Sequence, residues 1–207
     1  KYDFIGTIDA DSFLHPLALK RIMQEFKDPK VMASVSTVKI DKAKNIIEKI
    51  QYVEYILGGF MRKMLYFLGA INVVPGPLSV FRKEVFLKIG LFKRGYLTED
   101  LEMALRMQRH NLKIAHVINA IVYTKACPTF KSLLRQRLRW RRGFLLNLLR
   151  DYRDLLDIRR QGNFAFLLGY SLISNTLSVF VSLYALWRLI DFLIEKTVSY
   201  THLRAHE

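Results

Sequence analysis

Tyr2-Asp3-Phe4-Ile5-Gly6-Thr7-Ile8-Asp9-Ala10-Asp11 runs apolar and β-branched, then ends in two acids. The pattern reads as a strand from the first residues, with the acids where the strand gives out. Pro16 fits a first helical turn, Leu17, Leu19, Ile22, Met23 and Phe26 recur at helical spacing, and Asp28-Pro29 closes the run. Val31 to Ile40, rich in Val, Ser and Thr, reads as a second strand. Strand, helix and strand over residues 2–40 predict a βαβ unit, and so an α/β sheet.

Further along, Asn45 to Ala70 reads as one long or two short helices, with Gly58-Gly59 as the interruption and an amphipathic core or membrane-surface face. Pro75-Gly76-Pro77 breaks the apolar run Ile71 to Val74 in a tight, rigid turn. Leu78 to Phe81 resumes as strand, Lys83 to Ile89 as helix, and Gly90 stops it. Thr98 opens a helix over Glu99 to His110, and Lys113 to Thr124 alternates as a strand or hairpin should. From Phe130 to Leu156 a helix gathers Leu133, Leu134, Leu138, Leu145, Leu148 and Leu149 near one face, with arginines elsewhere.

Of the 207 residues 51% are hydrophobic, enough for a core, which excludes a disordered tail. Thirty-three Lys and Arg against 18 Asp and Glu give +15, which favours nucleotide phosphates, nucleic acid or an acidic membrane surface without choosing among them. The single cysteine, Cys127, excludes an internal disulfide framework and a cysteine-rich zinc site, and fits the reducing side of a membrane. Its simplest role is that of a small apolar residue. The chain opens on a strand without Met or a signal peptide, as a chain beginning inside a domain would. Phe164 to Trp187 gives 24 residues without formal charge. At a rise of ~1.5 Å each, they exceed the ~30 Å hydrocarbon layer and predict a transmembrane helix. Residues 131–160 carry ten Lys or Arg against three Asp just before it, which places the upstream part in the cytosol. Residues 199–207 drop the apolar pattern and read as a non-native tail.

Three constellations carry chemistry. Asp9 and Asp11 stand two apart, so strand alternation points both carboxylates to one side, where they can share Mg²⁺ or Mn²⁺ bridging a diphosphate. Alone, such acids more often mark a strand-to-loop turn. Thr98-Glu99-Asp100 is what a helix N-terminus prefers in any case. Its functional reading makes Asp100 a general base that deprotonates an acceptor hydroxyl. Gln136, Arg139 and Trp140, at i, i+3 and i+4, share a helix face and offer an amide for hydroxyls, a guanidinium for phosphate and an indole for a sugar ring. The alternative is an interfacial helix whose arginines meet lipid phosphates.

In this order the motifs resemble those of the membrane-integrated processive family 2 glycosyltransferases, such as cellulose, hyaluronan and poly-N-acetylglucosamine synthases. Asp9-Ala10-Asp11 is similar to the family's DxD, Thr98-Glu99-Asp100 to its TED and Gln136-Arg137-Leu138-Arg139-Trp140 to its Q(Q/R)xRW, while Pro75 to Arg82 resembles the stretch beside the acceptor sugar. The resemblance covers residues 1 to about 190. It implies a partial GT-A (nucleotide-diphospho-sugar transferase) fold over 1–128, a basic interfacial helix over 129–160 and a transmembrane segment over 161–196. It further implies a metal on Asp9 and Asp11, Asp100 as catalytic base, and Asp9, Glu99, Gln136, Arg139 and Trp140 as substrate-binding residues. The partners implied are a nucleotide sugar donor, a glycan acceptor and the lipid bilayer, with no nucleic acid, on the cytosolic side of the plasma membrane. The family's nucleotide-binding half and further membrane helices have no counterpart in these residues, so the fragment is expected to be inactive alone.

Two other functions compete with an inverting transferase that extends a β-linked polysaccharide from a UDP-sugar. One is a non-processive transferase acting on a lipid carrier, against which Trp140 argues, since a stacking plate serves a growing chain. The other is a non-enzymatic basic membrane-anchored module binding acidic lipid or RNA, which explains the charge but not the motifs. Placement separates them. An enzyme needs Asp9, Asp11, Asp100 and Arg139 around one cleft.

Overall fold

The structure is a computed structural model that describes residues 2–204, apart from the side chains at 175, 179, 182, 183, 186, 189, 193 and 195–204. Its sheet is built from β1 (Phe4–Thr7), β2 (Phe13–Leu14), β3 (Val31–Ile40), β4 (Ser79–Arg82) and β5 (Lys113–Thr124), in the order β1-β4-β3-β5-β2. β3 and β5 are parallel, while the β1–β4, β4–β3 and β2–β5 pairs are antiparallel. The predicted α/β sheet is present, but β1 and β3 are not neighbours. β4 lies between them and is antiparallel to both, so the βαβ unit holds an intercalated strand.

The central strand β3 buries residues of both orientations, as a strand covered on both faces must. Val80 and Phe81, and likewise Ile114 and Ala115, send adjacent side chains into different clusters. One cluster packs Phe81 and Ile114 against Val85 of α3 (Lys83–Ile89) and Met103, Ala104 and Met107 of α4 (Glu99–Arg109). The other packs Val80 and Ala115 against Ala18 and Ile22 of α1 (Ala18–Glu25). The β3–β5 register slips between Val35 and Thr37. There the Thr37 hydroxyl donates to the Val117 carbonyl at 3.3 Å, leaving it to accept from His116 Nε2 at 3.0 Å. Burial, then Arg62 and Lys63, push His116 down to about 3, so the buried ring stays neutral.

One helix takes the first of its two readings, and one departs from expectation. α2 (Ile46–Phe67) is one unbroken helix, started by an Asn45–Glu48 capping box. Gly58-Gly59 does not interrupt it, because Gly59 answers a packing need: a Cβ there would sit 3.0 Å from Thr37 Cγ2. The basic helix α5 (Phe130–Leu146), with a Thr129–Ser132 capping box, ends ten residues before the expected Leu156. A π turn (Asn147–Asp151), a 3-10 turn (Arg153–Leu156) and the short α6 (Ile158–Gln161) follow. Leucine spacing alone continues the helix, but the buried anchors at Asn147 and Tyr152 bend the chain.

Residues 1–166 form one compact unit and 167–207 a second, in which α7 (Asn163–Arg204) is the described element. Among the described residues no helix is long and apolar enough to cross a membrane. The span expected over Phe164 to Trp187 includes positions whose side chains lie outside the described residues. So does the tail expected at 199–207, whose backbone continues α7 as far as Arg204.

Candidate active site

Register sets the first wall of the site. Thr7, the last residue of β1, pairs with Ser79, the first of β4. The acids after β1 and the Pro75-Gly76-Pro77 turn before β4 therefore leave the sheet at the same end. Asp9 and Asp11 do not continue the strand: Ser12 N–H donates to the Asp9 carbonyl at 3.1 Å and closes a turn. The turn, rather than strand alternation, sets their side chains. Gly76 is the floor beneath Asp9, where a Cβ would lie 2.8 Å from the carboxyl carbon. The turn is held by the Ser79 hydroxyl donating to the Pro75 carbonyl at 2.6 Å, and Leu78 adopts a left-handed φ of 97°. A non-glycine residue there stores strain that its surroundings must hold.

The second wall is the start of α4. Val74 N–H donates to the Asp100 carbonyl at 3.2 Å and ties this helix to the segment before the proline turn. Thr98 does not cap the helix with its side chain. Its hydroxyl donates instead to the Gly95 carbonyl at 2.6 Å, closing a turn in which Tyr96 (φ 54°) and Leu97 (φ 67°) are both left-handed. Asp100 Oδ1 accepts from Leu101 N–H at 2.8 Å. Burial raises the Asp100 carboxyl above its usual range and Glu99 adds to this, against the Leu101 hydrogen bond and the charge of Arg139.

Helix α5 supplies the cation. Arg139 Nη1 donates to the Leu97 carbonyl at 2.6 Å, so the guanidinium holds the left-handed turn itself. Asp9 is raised by burial, then by the charges of Asp11 and Glu99, and Arg139 opposes the rise. Asp9, Asp11, Glu99, Asp100 and Arg139 thus form one electrostatic cluster. Gln136 Oε1 is buried without a hydrogen-bond partner among the described residues. Trp140, half-buried, has the Arg137 guanidinium 4.6 Å from its ring centre, and Arg137 donates to Glu54 of α2 at 2.6 Å. Sequence reasoning missed Arg62 of α2, whose guanidinium is pulled down by burial and supported by Tyr55 and Asp100. Only tertiary packing reveals it. A groove of about 760 Å³ opens on the left-handed turn, lined by Lys93, Arg94, Tyr96, Leu97, Arg109 and Tyr152, and neither Asp9 nor Asp100 lines it.

Among the described residues no three His, Cys, Asp or Glu side chains converge into a metal cage. A Mg²⁺-type site does not need one, because it is completed by substrate phosphates and water around one or two carboxylates. The donor set fits that pattern, and the repulsion from Asp11 and Glu99 that adds to burial in raising Asp9 is what a divalent cation would relieve.

A mixed sheet with acids gathered where one strand ends is the arrangement expected of an A-type glycosyltransferase. A solved mannosyltransferase from Pyrobaculum calidifontis, in complex with GDP-Man and Mn²⁺, has a similar fold, with a TM-score of 0.55 and 14% identity over 72% of this chain and 40% of that one. The chain belongs to glycosyl transferase family group 2, whose profile matches residues 4–201. Poly-β-1,6-N-acetyl-D-glucosamine synthase from Staphylococcus aureus (strain COL) is 28% identical over 161 residues, 77% of this chain, and the Staphylococcus epidermidis protein of the same name is 26% identical. The chain spans 39% of the length of these curated relatives.

Proposed function

We propose that these residues form the metal-binding and acceptor-side part of an inverting hexosyltransferase that adds sugar from a nucleotide donor, UDP-linked in our reading, to a growing β-linked polysaccharide. One set of contacts supports the reading: Gly76 lies against the Asp9 carboxylate, Val74 just before it donates to the Asp100 carbonyl at 3.2 Å, and Arg139 donates to the Leu97 carbonyl at 2.6 Å, so residues of the three motifs adjoin. Asp100 takes the proton of the acceptor hydroxyl while the oxygen attacks the anomeric carbon, and the diphosphate leaves from the opposite face. Burial lifts the Asp100 carboxyl towards the working pH, which suits a general base. Asp9 and Asp11 would hold Mg²⁺ or Mn²⁺, which supplies charge neutralisation to the leaving diphosphate. Arg139 grips phosphate, while Gln136 and Trp140 line the acceptor's path. Glu99 keeps the cluster negative and so selective for a cation.

The bilayer is the remaining partner in this reading. The basic run of α5 and the uncharged run from Phe164 suit a protein embedded in the plasma membrane, its catalytic part cytosolic. The test is incorporation of labelled sugar from a panel of UDP-sugars, with Mg²⁺ or Mn²⁺, by membranes holding the full-length protein or its Asp100→Asn form. Polymer from one donor, lost in the variant, is the expected result. No transfer from any donor by folded parent protein would overturn the reading.

A further inference from the structure

Residues 139, 143 and 147 stand at i, i+4 and i+8, so one stripe of α5 and its C-terminal cap faces the turn before α4. Arg139 holds the Leu97 carbonyl at 2.6 Å. Gly143 lies against Thr98 so closely that a Cβ would come 2.9 Å from the Thr98 Cβ and closer still to its Oγ1 and Cγ2. Asn147, fully buried, turns the two N–H of its Nδ2, one of them shared, to the Gly95 carbonyl at 2.8 Å, Thr98 Oγ1 at 3.1 Å and the Gly143 carbonyl at 2.9 Å. The Thr98 hydroxyl spends its own proton on Gly95, so it can only accept from Asn147. From the other side Glu102 presses on the same turn, since a Cβ on Gly95 would lie 2.6 Å from its Cβ.

We propose that Asn147 is a positioning residue: acting through Thr98 and Gly95, it holds the left-handed turn that presents Asp100, and locks Asp100 to the helix that carries Arg139. This rests on the transferase reading above and extends it to a residue that touches neither substrate nor metal. Tyr96 and Leu97 occupy the left-handed backbone region that residues with a Cβ disfavour, so without a clamp the turn relaxes and rotates Thr98 to Asp100. The groups expected to hold the donor have their own supports: Asp9 and Asp11 sit in the turn closed by Ser12 N–H on the Asp9 carbonyl, and Arg139 lies within α5. The clamp therefore governs the chemical step, with little effect on donor capture.

The test compares full-length parent, Asn147→Ala, Asn147→Asp and, as a control for stability alone, Leu155→Ala in the same buried segment. Asn147→Ala is expected to lower kcat by on the order of 10- to 100-fold with donor KM almost unchanged, and to speed amide exchange over residues 95–101. Asn147→Asp is expected to lose more, because a carboxylate would face three oxygen atoms. Parent-like exchange over 95–101 in Asn147→Ala overturns the clamp whether or not the protein transfers sugar. Parent-like kcat despite faster exchange, or an equal kcat loss in Leu155→Ala at matched melting temperature, overturns its catalytic role. Absence of transfer in the parent strikes the transferase reading instead, and the exchange result still decides the clamp.

Discussion

Asp100 and Glu102 stand two residues apart in the first turn of α4, and the protein treats them in opposite ways. Glu102 is buried and fully engaged: Oε2 pairs with Arg106 at 2.9 Å, and Oε1 accepts from the Tyr152 hydroxyl. Burial, then that hydrogen bond, hold the Tyr152 phenol well above its usual range, so it remains a donor. Arg106 in turn donates to the Ile89 and Leu91 carbonyls at 2.6 and 2.8 Å. Among the described residues Asp100 has no such side-chain hydrogen bond: burial and the neighbouring Glu99 disfavour its charge, against backbone N–H groups and the pull of Arg139. A satisfied acid holds a fold together. One kept in tension is available for proton transfer.

The sharpest way to break this contrast is Asp100→Asn in the full-length protein. Transfer is expected to fall by about 10²- to 10⁴-fold, the usual worth of a general base, while nucleotide binding and melting temperature hold or rise. Near-parent rates would remove Asp100 from the mechanism. Glu102→Ala should do the reverse, costing on the order of 3–5 kcal/mol of stability because it strands a buried guanidinium. Urea denaturation reads this directly, and a loss below about 1 kcal/mol would show that Arg106 finds other partners.

The same contrast shows what sequence makes legible. Strands β3 and β5 were predictable with their observed ends, because composition and alternation are local signals. The intercalation of β4 between β1 and β3 was not, since no local pattern records which strand a distant one pairs with. Asp9, Asp100 and Arg139 could be singled out as residue types at motif spacing, and the structure brings them into one cluster. Thr98 looked like a helix cap, yet its hydroxyl serves Gly95. Gly143 and Asn147 escaped notice because a glycine and an amide within a helical pattern carry no signal until the partner turn is present. Leucine spacing extended α5 past Leu146 for the same reason.

Gly76→Ala sharpens the comparison from the metal side. The added Cβ would press on the Asp9 carboxylate, and relief requires either the acid or the strained Leu78 turn to move. A stability loss of about 1–3 kcal/mol is expected, together with a higher Mg²⁺ or Mn²⁺ concentration for half-maximal transfer. Unchanged metal dependence with intact folding would show that Asp9 does not need its floor.

The smallest expected effect is on stability against pH, where the sign separates the cluster from an ordinary surface pair. Asp28, beside Lys113, is held below its usual range by that lysine's hydrogen bond and then by the Lys30 N–H, so its contribution is present above 3.8 and lost as pH falls. Asp9 and Asp100 are raised. The folded state therefore binds their protons more tightly than the unfolded chain, and stability declines as pH climbs from 3.8 through their raised values, then levels. Asp100→Asn should remove its part of that decline at every metal concentration. Mn²⁺, by favouring ionised Asp9, should flatten the rest. Melting curves between about pH 4 and pH 7, with and without Mn²⁺, measure both. A decline that Mn²⁺ leaves untouched in parent and variant alike would mean that the cation does not sit at Asp9.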